Sequence, residues 1–339
     1  MNFFGRVFAA VLIFSSFVSC DVEFSPNAEW KDVPVVYCLL DQDEDTTWAR
    51  VEKCFLGTDD MFQYTQIVDS LYYPEGSVSV QLYEWEAVRG LHNSLTPAGN
   101  APKRVLDFEG GWFENKRQGT FAHPWQYLFY CPDPNLDTSC VYELRVSRHT
   151  DSGDVLIARS STTLVGTDSV TFASYLHVGN GNYFRFMSGK CDVRWRSFAR
   201  ARYYQPMVRY FYIVDDKYRY VDIYCPEIHT SNYDLNRQVS LSENTFLSNM
   251  YSALVNDTSS KFFADSVHVF LRACNEDLSA YMNSNSSNNN NNSQFYTNIV
   301  GGMGVFGSRR TVLYKAMRSD TAVTSTHLHY KLKALGIGF

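Results

Sequence analysis

The sequence predicts a mainly β protein, with an N-terminal β-sandwich followed by a second β-rich domain that carries one or two short helices. The chain contains 23 Tyr, 24 Phe and 6 Trp among its 339 residues, and aromatic side chains favour pleated, half-buried surfaces. Short runs that alternate apolar and polar residues also recur between turn-forming residues, as sheets with one buried face require. The sandwich is expected to be immunoglobulin-like or related, although no Cys…Trp…Cys core pattern is obvious.

Residues 34–165 are predicted to form the sandwich. Residues 35–40 are a continuous apolar run, and residues 77–85 begin with a clean alternation in which Val78, Val80 and Leu82 share one face. Further strands are expected at 48–55, 141–149 and 155–165.

Residues 166–339 are predicted to form the second domain. Strands are expected at 193–198, 207–214, 218–225, 267–272 and 326–333. The sequence Ser-Leu-Ser-Glu at 240–243 matches a capping box, and apolar residues follow it at helical spacing, which predicts a helix near 242–255. A shorter helix is predicted at 276–282. Residues 283–293 are only Asn and Ser, which cannot bury apolar surface, so a mobile loop is predicted there.

The N-terminus predicts export from the cytoplasm. Arg6 is followed by an apolar run of about 12 residues, shorter than the roughly 20 of a membrane-spanning helix. The run ends at Ser19 and Cys20, a pattern that resembles the lipobox of bacterial lipoproteins, in which the chain is cleaved before the cysteine and the cysteine is acylated. We therefore expect a signal peptide at 1–19, lipidation of Cys20 and a tether at 20–33. Ordinary secretion with cleavage nearby is the alternative.

Cysteine spacing and net charge limit the kinds of site and partner expected for this chain. Cys131 and Cys140 bracket a turn-rich loop, which a disulfide would close in an oxidising compartment. Free cysteines on strands are the alternative, because Cys behaves as a small hydrophobe. No CxxC pair occurs, which argues against a zinc ribbon. A formal net charge of −6 and the lack of a basic cluster argue against a nucleic-acid partner.

Three motifs could suggest a cofactor or a metal, and a plainer interpretation is favoured for each. GxGxxG at 302–307 lacks the strand-to-helix context of a dinucleotide site, so its glycines are expected to serve a close-packed bend between strands. His327 and His329 share a strand face with two lysines, which would repel a cation. The acidic run 41–45 lacks the glycine and distal Glu of a calcium loop. We expect no cofactor and no metal.

No catalytic spacing of the HExxH, GxSxG or Walker type occurs, so no catalytic residue is assigned. Trp30, Trp48, Trp112 and Trp125, if exposed, would form a platform for sugars or for a partner. Core packing is the alternative for each of them. A hydrolase with a site assembled from scattered residues is the weakest hypothesis, and a His converging with Ser or an acid in one pocket would favour it.

Several segments together resemble a known family. They are residues 32–41, 48–57, 69–73 and 296–308, the last containing Thr-Asn-Ile at 297–299 followed by Gly302, Gly304 and Phe306. The chain is similar, over most of its mature length, to uncharacterised outer-membrane lipoproteins of Bacteroidetes that share a domain of unknown function. The resemblance implies a lipobox, an N-terminal β-sandwich and frequent association with TonB-dependent transporters. It also implies exposure on the cell surface, because Asp21 and Glu23 look like surface-export signals.

These expectations predict a surface-exposed outer-membrane lipoprotein that acts as a non-enzymatic binding or accessory subunit of a TonB-dependent transporter. The expected partners are the membrane, through the lipid on Cys20, and the transporter itself. A structural or adhesive lipoprotein of the cell envelope is the alternative.

Overall fold

The structure, a computed structural model, describes residues 33–54, 61–166, 177–178, 183–184, 186, 188–230, 236–255, 261–284, 296–319, 332–333 and 337–338. The strands of the first half are β1 Pro34–Leu40, β2 Thr46–Lys53, β3 Val78–Trp85, β4 Ala87–Arg89, β5 Leu95–Pro97, β6 Arg104–Asp107, β7 Glu109–Glu114, β8 Trp125–Pro132, β9 Val141–Thr150 and β10 Gly153–Thr163.

The strands of the second half are β11 His177–Val178, β12 Tyr183–Phe184, β13 Lys190–Arg196, β14 Ala201–Val214, β15 Lys217–Tyr224, β16 Ile228–His229, β17 Asn236–Ser242, β18 Lys261–Asn275, β19 Met303–Ser319 and β20 Ile337–Gly338. The helices are α1 Met61–Tyr64, α2 Val68–Leu71, α3 Glu243–Leu254 and α4 Glu276–Ser284, with a 3-10 turn at Leu91–Asn93. The predicted mainly β class is confirmed.

A large sheet extends through both halves of the chain, in the order β15-β14-β18-β19-β1-β2-β8-β7. Strand β19 makes this continuity possible because it has two partners. Its residues 303–308 pair in parallel with β1, and its residues 309–317 pair antiparallel with β18. The boundary predicted near residue 166 therefore divides the chain but not this sheet.

The first core lies between the large sheet and a four-stranded sheet of order β10-β9-β3-β6. Strand β1 alternates buried and half-buried residues along its whole length, and Val36, Cys38 and Leu40 point inward. They share one cluster with the predicted inward residues of β3, and with Phe306 from β19. Two packed sheets are thus present, while the immunoglobulin-like subtype stays a prediction.

Helix α3 and the small sheet β11-β13-β17 contribute to the second core together with β14, β15 and β18. Trp195, Tyr204 and Phe246 are among its fully buried side chains. The predicted helix is confirmed, but it is capped two residues later than the predicted capping box. Ser242 is the N-cap and accepts a hydrogen bond from the Thr245 backbone N–H, whereas Ser240 lies in β17 and donates to Asp192.

Gly304 explains the GxGxxG motif without a nucleotide. It pairs with Val36 in the parallel register, has a φ of +109°, and leaves no room for a Cβ against the Val36 carbonyl. The motif lies largely in strand β19 and opens no helix. The close packing predicted for its glycines is confirmed at Gly304, but this glycine lies within a strand and not at a bend between strands.

Two C-terminal predictions fall mostly outside the described residues. The predicted strand 326–333 overlaps them only at Leu332 and Lys333, which are helical, so its end is wrong. In the predicted loop 283–293, Asn283 and Ser284 belong to helix α4, and the remainder lies outside the described ranges.

Candidate ligand-binding pocket

A cavity of about 250 Å³ lies on the outer face of the large sheet, above the β1–β2 hairpin. Because strand residues alternate between faces, the residues that point away from the core line this cavity. They include Tyr37 and Leu39 from β1, and Trp48 and Arg50 from β2. The acidic turn between the two strands closes one side.

Trp48 forms the aromatic part of the pocket. Its side chain is 42% exposed, although it has well-defined neighbours. The Phe113 ring meets it edge-on at 5.2 Å between centroids, and Tyr130, its cross-strand partner in β8, lies at 5.6 Å. The indole is therefore held in place by other rings while part of it stays open to solvent.

Four charged side chains complete the pocket, two acids and two arginines. The Arg309 guanidinium lies 3.7 Å from the Asp41 carboxylate and 3.8 Å from the Glu44 carboxylate. The guanidinium of Arg50 stacks over the Tyr37 ring at 4.7 Å. Burial raises the pKa of Asp41 to about 6, against the opposing effects of the Asp43 N–H and of Arg309. Both Arg309 distances exceed a direct hydrogen bond, so these groups keep hydrogen-bonding capacity.

The predicted tryptophan platform is only partly assembled. Trp112 and Trp125 are exposed to 39% and 47%, but they lie on the opposite face of the sheet from Trp48. Trp112 packs instead against Tyr72 and Tyr127, with centroid distances of 5.4 and 5.2 Å. Trp30 lies outside the described residues.

A larger cavity of about 450 Å³ lies where the two halves meet. Arg200 in its wall donates to the backbone carbonyls of Leu164, Asn93 and Thr138, at 2.9, 3.3 and 2.7 Å. Burial, and then the neighbouring charge of Arg89, lowers the pKa of Arg200 to about 10. Because this guanidinium is engaged with the protein's own carbonyls, its role is to join the segments around the cavity.

A third cavity, of about 390 Å³, is lined by His229, Ser279 and Glu276. A further glutamate, Glu227, approaches the histidine from outside this lining. The Nδ1 of His229 lies 3.1 Å from the hydroxyl of Ser279 on α4, and its Nε2 lies 3.8 Å from Glu227. The Tyr203 hydroxyl donates to the same glutamate at 3.1 Å. Sequence analysis missed this group because residues 227, 229 and 279 match no catalytic spacing.

The predicted disulfide between Cys131 and Cys140 is not formed, and both are free thiols. Both are buried in the first core, and the Cys140 thiol lies 3.6 Å from the carboxylate of Glu84. Ion pairs, and not a disulfide, hold the loop between these two cysteines.

Glu84 anchors this loop from strand β3. Its buried carboxylate pairs with Lys103 at 3.0 Å and with Arg104 at 2.5 Å. Arg104 also donates to the loop carbonyls of Pro134 and Asn135. Although burial raises the pKa of Glu84, the two cations outweigh it and hold that pKa below its usual range.

The acidic run 41–45 forms ion pairs rather than a separate ligand set. Asp41 faces Arg309, and Asp43 accepts a hydrogen bond from Arg310 at 2.7 Å. In the part of the chain that the structure describes, no three His, Cys, Asp or Glu side chains converge to hold a metal ion. His327 and His329 lie outside that part.

Comparisons with known proteins do not assign the chain to a class. No protein-family model matches it, and no curated protein matches it significantly. Among the described residues, no helix has the length and apolar character needed to cross a bilayer.

Proposed function

We propose that the protein is a surface-exposed outer-membrane lipoprotein, anchored through Cys20, that binds a ligand without enzymatic activity and assists a TonB-dependent transporter. The pocket around Trp48 is the observation that carries the binding role. Leaving an indole 42% exposed costs hydrophobic free energy, and a ligand that covers it would recover part of that cost. Ligand sites typically combine such an apolar surface with a few placed polar groups.

The anchor and the partner are supported by the sequence. The apolar run that ends at Cys20 predicts lipidation, and the resemblance described above implies the transporter. A binding module tethered beside a transporter would hold the ligand at high local concentration.

The test is purification of the lipidated protein from membranes in a mild detergent. A TonB-dependent transporter is expected to co-purify, and the Cys20→Ala variant is expected to leave the membrane fraction and lose the transporter. Recovery of the wild-type protein alone would contradict the accessory role. A Cys20→Ala protein that still sediments with membranes would contradict the anchor.

A serine-type hydrolase is the second candidate, favoured by the 3.1 Å contact between Ser279 and His229. In such a site the histidine takes the serine proton and an acid orients the histidine. It ranks second because the Glu227 carboxylate, 3.8 Å from Nε2, is beyond hydrogen-bond distance.

A fluorophosphonate probe distinguishes the two candidates. A hydrolase would be labelled at Ser279, and both Ser279→Ala and His229→Ala would abolish the label. Ser284→Ala, on the same helix, is the matched control and should keep it. The absence of labelling in the wild-type protein would remove this candidate.

A further inference from the structure

We propose that the Trp48 pocket binds a neutral carbohydrate, an inference that rests on the proposed function and specifies its ligand. The indole of Trp48 offers a flat apolar surface at a concave site. A sugar ring in its pyranose form carries C–H groups on one face and hydroxyls around its rim. Such a ring would cover the indole with its apolar face while its hydroxyls reach the wall of the pocket.

The charges of the wall favour a neutral ligand over an ion. Two acids, Asp41 and Glu44, and two arginines, Arg50 and Arg309, line the pocket, so its lining has no excess formal charge to attract an ion. Arg309 faces both acids, and Arg50 lies 3.7 Å from Glu52. A charged ligand would have to displace one of these partners and leave a charge unpaired, which is costly.

The same groups suit hydroxyls particularly well. Arg309 lies 3.7 and 3.8 Å from its two carboxylates, so neither contact is a direct hydrogen bond. A hydroxyl is both donor and acceptor. It can therefore accept from the guanidinium and donate to a carboxylate without breaking an existing bond.

The size of the site fits a small ligand. At about 250 Å³, the cavity is slightly below the roughly 300 to 1,000 Å³ of drug-sized ligand pockets. The rings of Phe113 and Tyr130, 5.8 Å apart, continue the aromatic surface from Trp48 across β8 to β7. The geometry thus favours a short oligosaccharide, with one unit over Trp48 and the next over this extension.

The test applies the full mature chain to an array of neutral and charged oligosaccharides. Binding to neutral glycans is expected, and Trp48→Ala should lower the affinity at least tenfold in a follow-up titration. Trp125→Ala is the matched control, because Trp125 is similarly exposed at 47% but lies on the other face of the sheet. It should bind like the wild-type protein, and circular dichroism checks that both variants are folded.

Three results would overturn the inference: no neutral glycan bound, binding unchanged in Trp48→Ala, or binding confined to charged glycans and lost in salt. None of them affects transporter co-purification. If the transporter is recovered while glycan binding fails, the carbohydrate is wrong and the accessory role stands. If glycans bind but no transporter is recovered, the ligand class stands and the accessory role is wrong.

Discussion

Asn275 is a buried amide that links the two halves of the chain. It is 3% exposed at the end of β18. Its amide nitrogen donates to the Thr162 hydroxyl at 2.6 Å, and its oxygen accepts from the backbone N–H groups of Leu278 and Ser308 at 3.2 and 3.1 Å. One side chain thus satisfies groups on β10, α4 and β19.

Replacing Asn275 with Ala is expected to destabilise the protein by about 3 to 5 kcal/mol, because several buried polar groups would lose their partner at once. Urea unfolding measures this loss. Asn249→Ala, on the exposed side of α3, removes a single hydrogen bond to Thr245 and should cost less than about 1 kcal/mol. Similar losses for the two variants would contradict the role given to Asn275.

The buried carboxyl group of Asp41 should make the stability of the protein depend on pH. Burial raises its pKa to about 6 from an ordinary value of 3.8. Between those values the folded state binds more protons than the unfolded state, so this group's contribution to stability falls as pH rises, and it stays low above pH 6. Asp41→Asn removes the titration. The free energy of unfolding of the variant, relative to wild type, should therefore rise by up to about 3 kcal/mol between pH 4 and 6.

The matched control for Asp41 is Asp216→Asn, an exposed position in the β14–β15 turn. Denaturant unfolding at several pH values compares the two variants with the wild-type protein. A constant difference between Asp41→Asn and wild type across the window would show that the burial of Asp41 does not control its ionisation.

At the scale of elements, Gly304 joins β19 to β1. A Cβ added there would overlap the Val36 carbonyl, and the φ of +109° already disfavours any other residue. Gly304→Ala should therefore cost at least about 3 kcal/mol. Gly153→Ala shares a positive φ but has open space, and should cost about 1 to 2 kcal/mol. Gly119→Ala, with neither constraint, should change stability by less than about 0.5 kcal/mol. Thermal unfolding would contradict this explanation if the order were different.

Alternation in the sequence predicted the strands with one polar face, such as β3 and β9, because the period of two follows directly from burial on one side. Strand β1 was predicted from its continuous apolar run instead. Strand β8 was missed for the opposite reason. Tyr127 and Phe129 point inward while Leu128 and Tyr130 point outward, so apolar residues on both faces hide the period. The same outward residues flank Trp48. The sequence could therefore indicate which tryptophans are candidates for an aromatic site, but not which other rings surround Trp48.

The N-cap of α3 illustrates a second limit. Ser240 and Ser242 both precede the apolar helical pattern, and the Ser-x-x-Glu spacing that predicts the cap begins at Ser240. The pairing of β17 with β13 decides between them, because it carries the strand through Ser242. Long-range pairing of this kind cannot be read from local spacing.

At the scale of the whole molecule, the shared sheet implies that the two halves unfold together. Strand β19 pairs with β1 in one half and with β18 in the other, and Ile299 and Phe306 from the C-terminal part of the chain lie in the first core. The N-terminal sequence pattern predicts a self-contained sandwich. However, residues that complete its core lie more than 130 positions beyond residue 165. No local pattern in residues 34–165 predicts that C-terminal residues pack into this core.

Leu254→Ala tests this cooperativity from a distance. Leu254 is 3% exposed at the end of α3 and lies in the second core only. Its truncation should cost about 2 to 5 kcal/mol.

Hydrogen exchange shows which strands lose protection, since the slowest amides report global unfolding. If the halves form one cooperative unit, the slowest amides of β9, in the first core, lose as much protection as those of β14. Tyr251→Ala, on the exposed side of the same helix, should leave both nearly unchanged. Protection that falls in β14 but is retained in β9 would mean that the first half stays folded without the second, despite the strand they share.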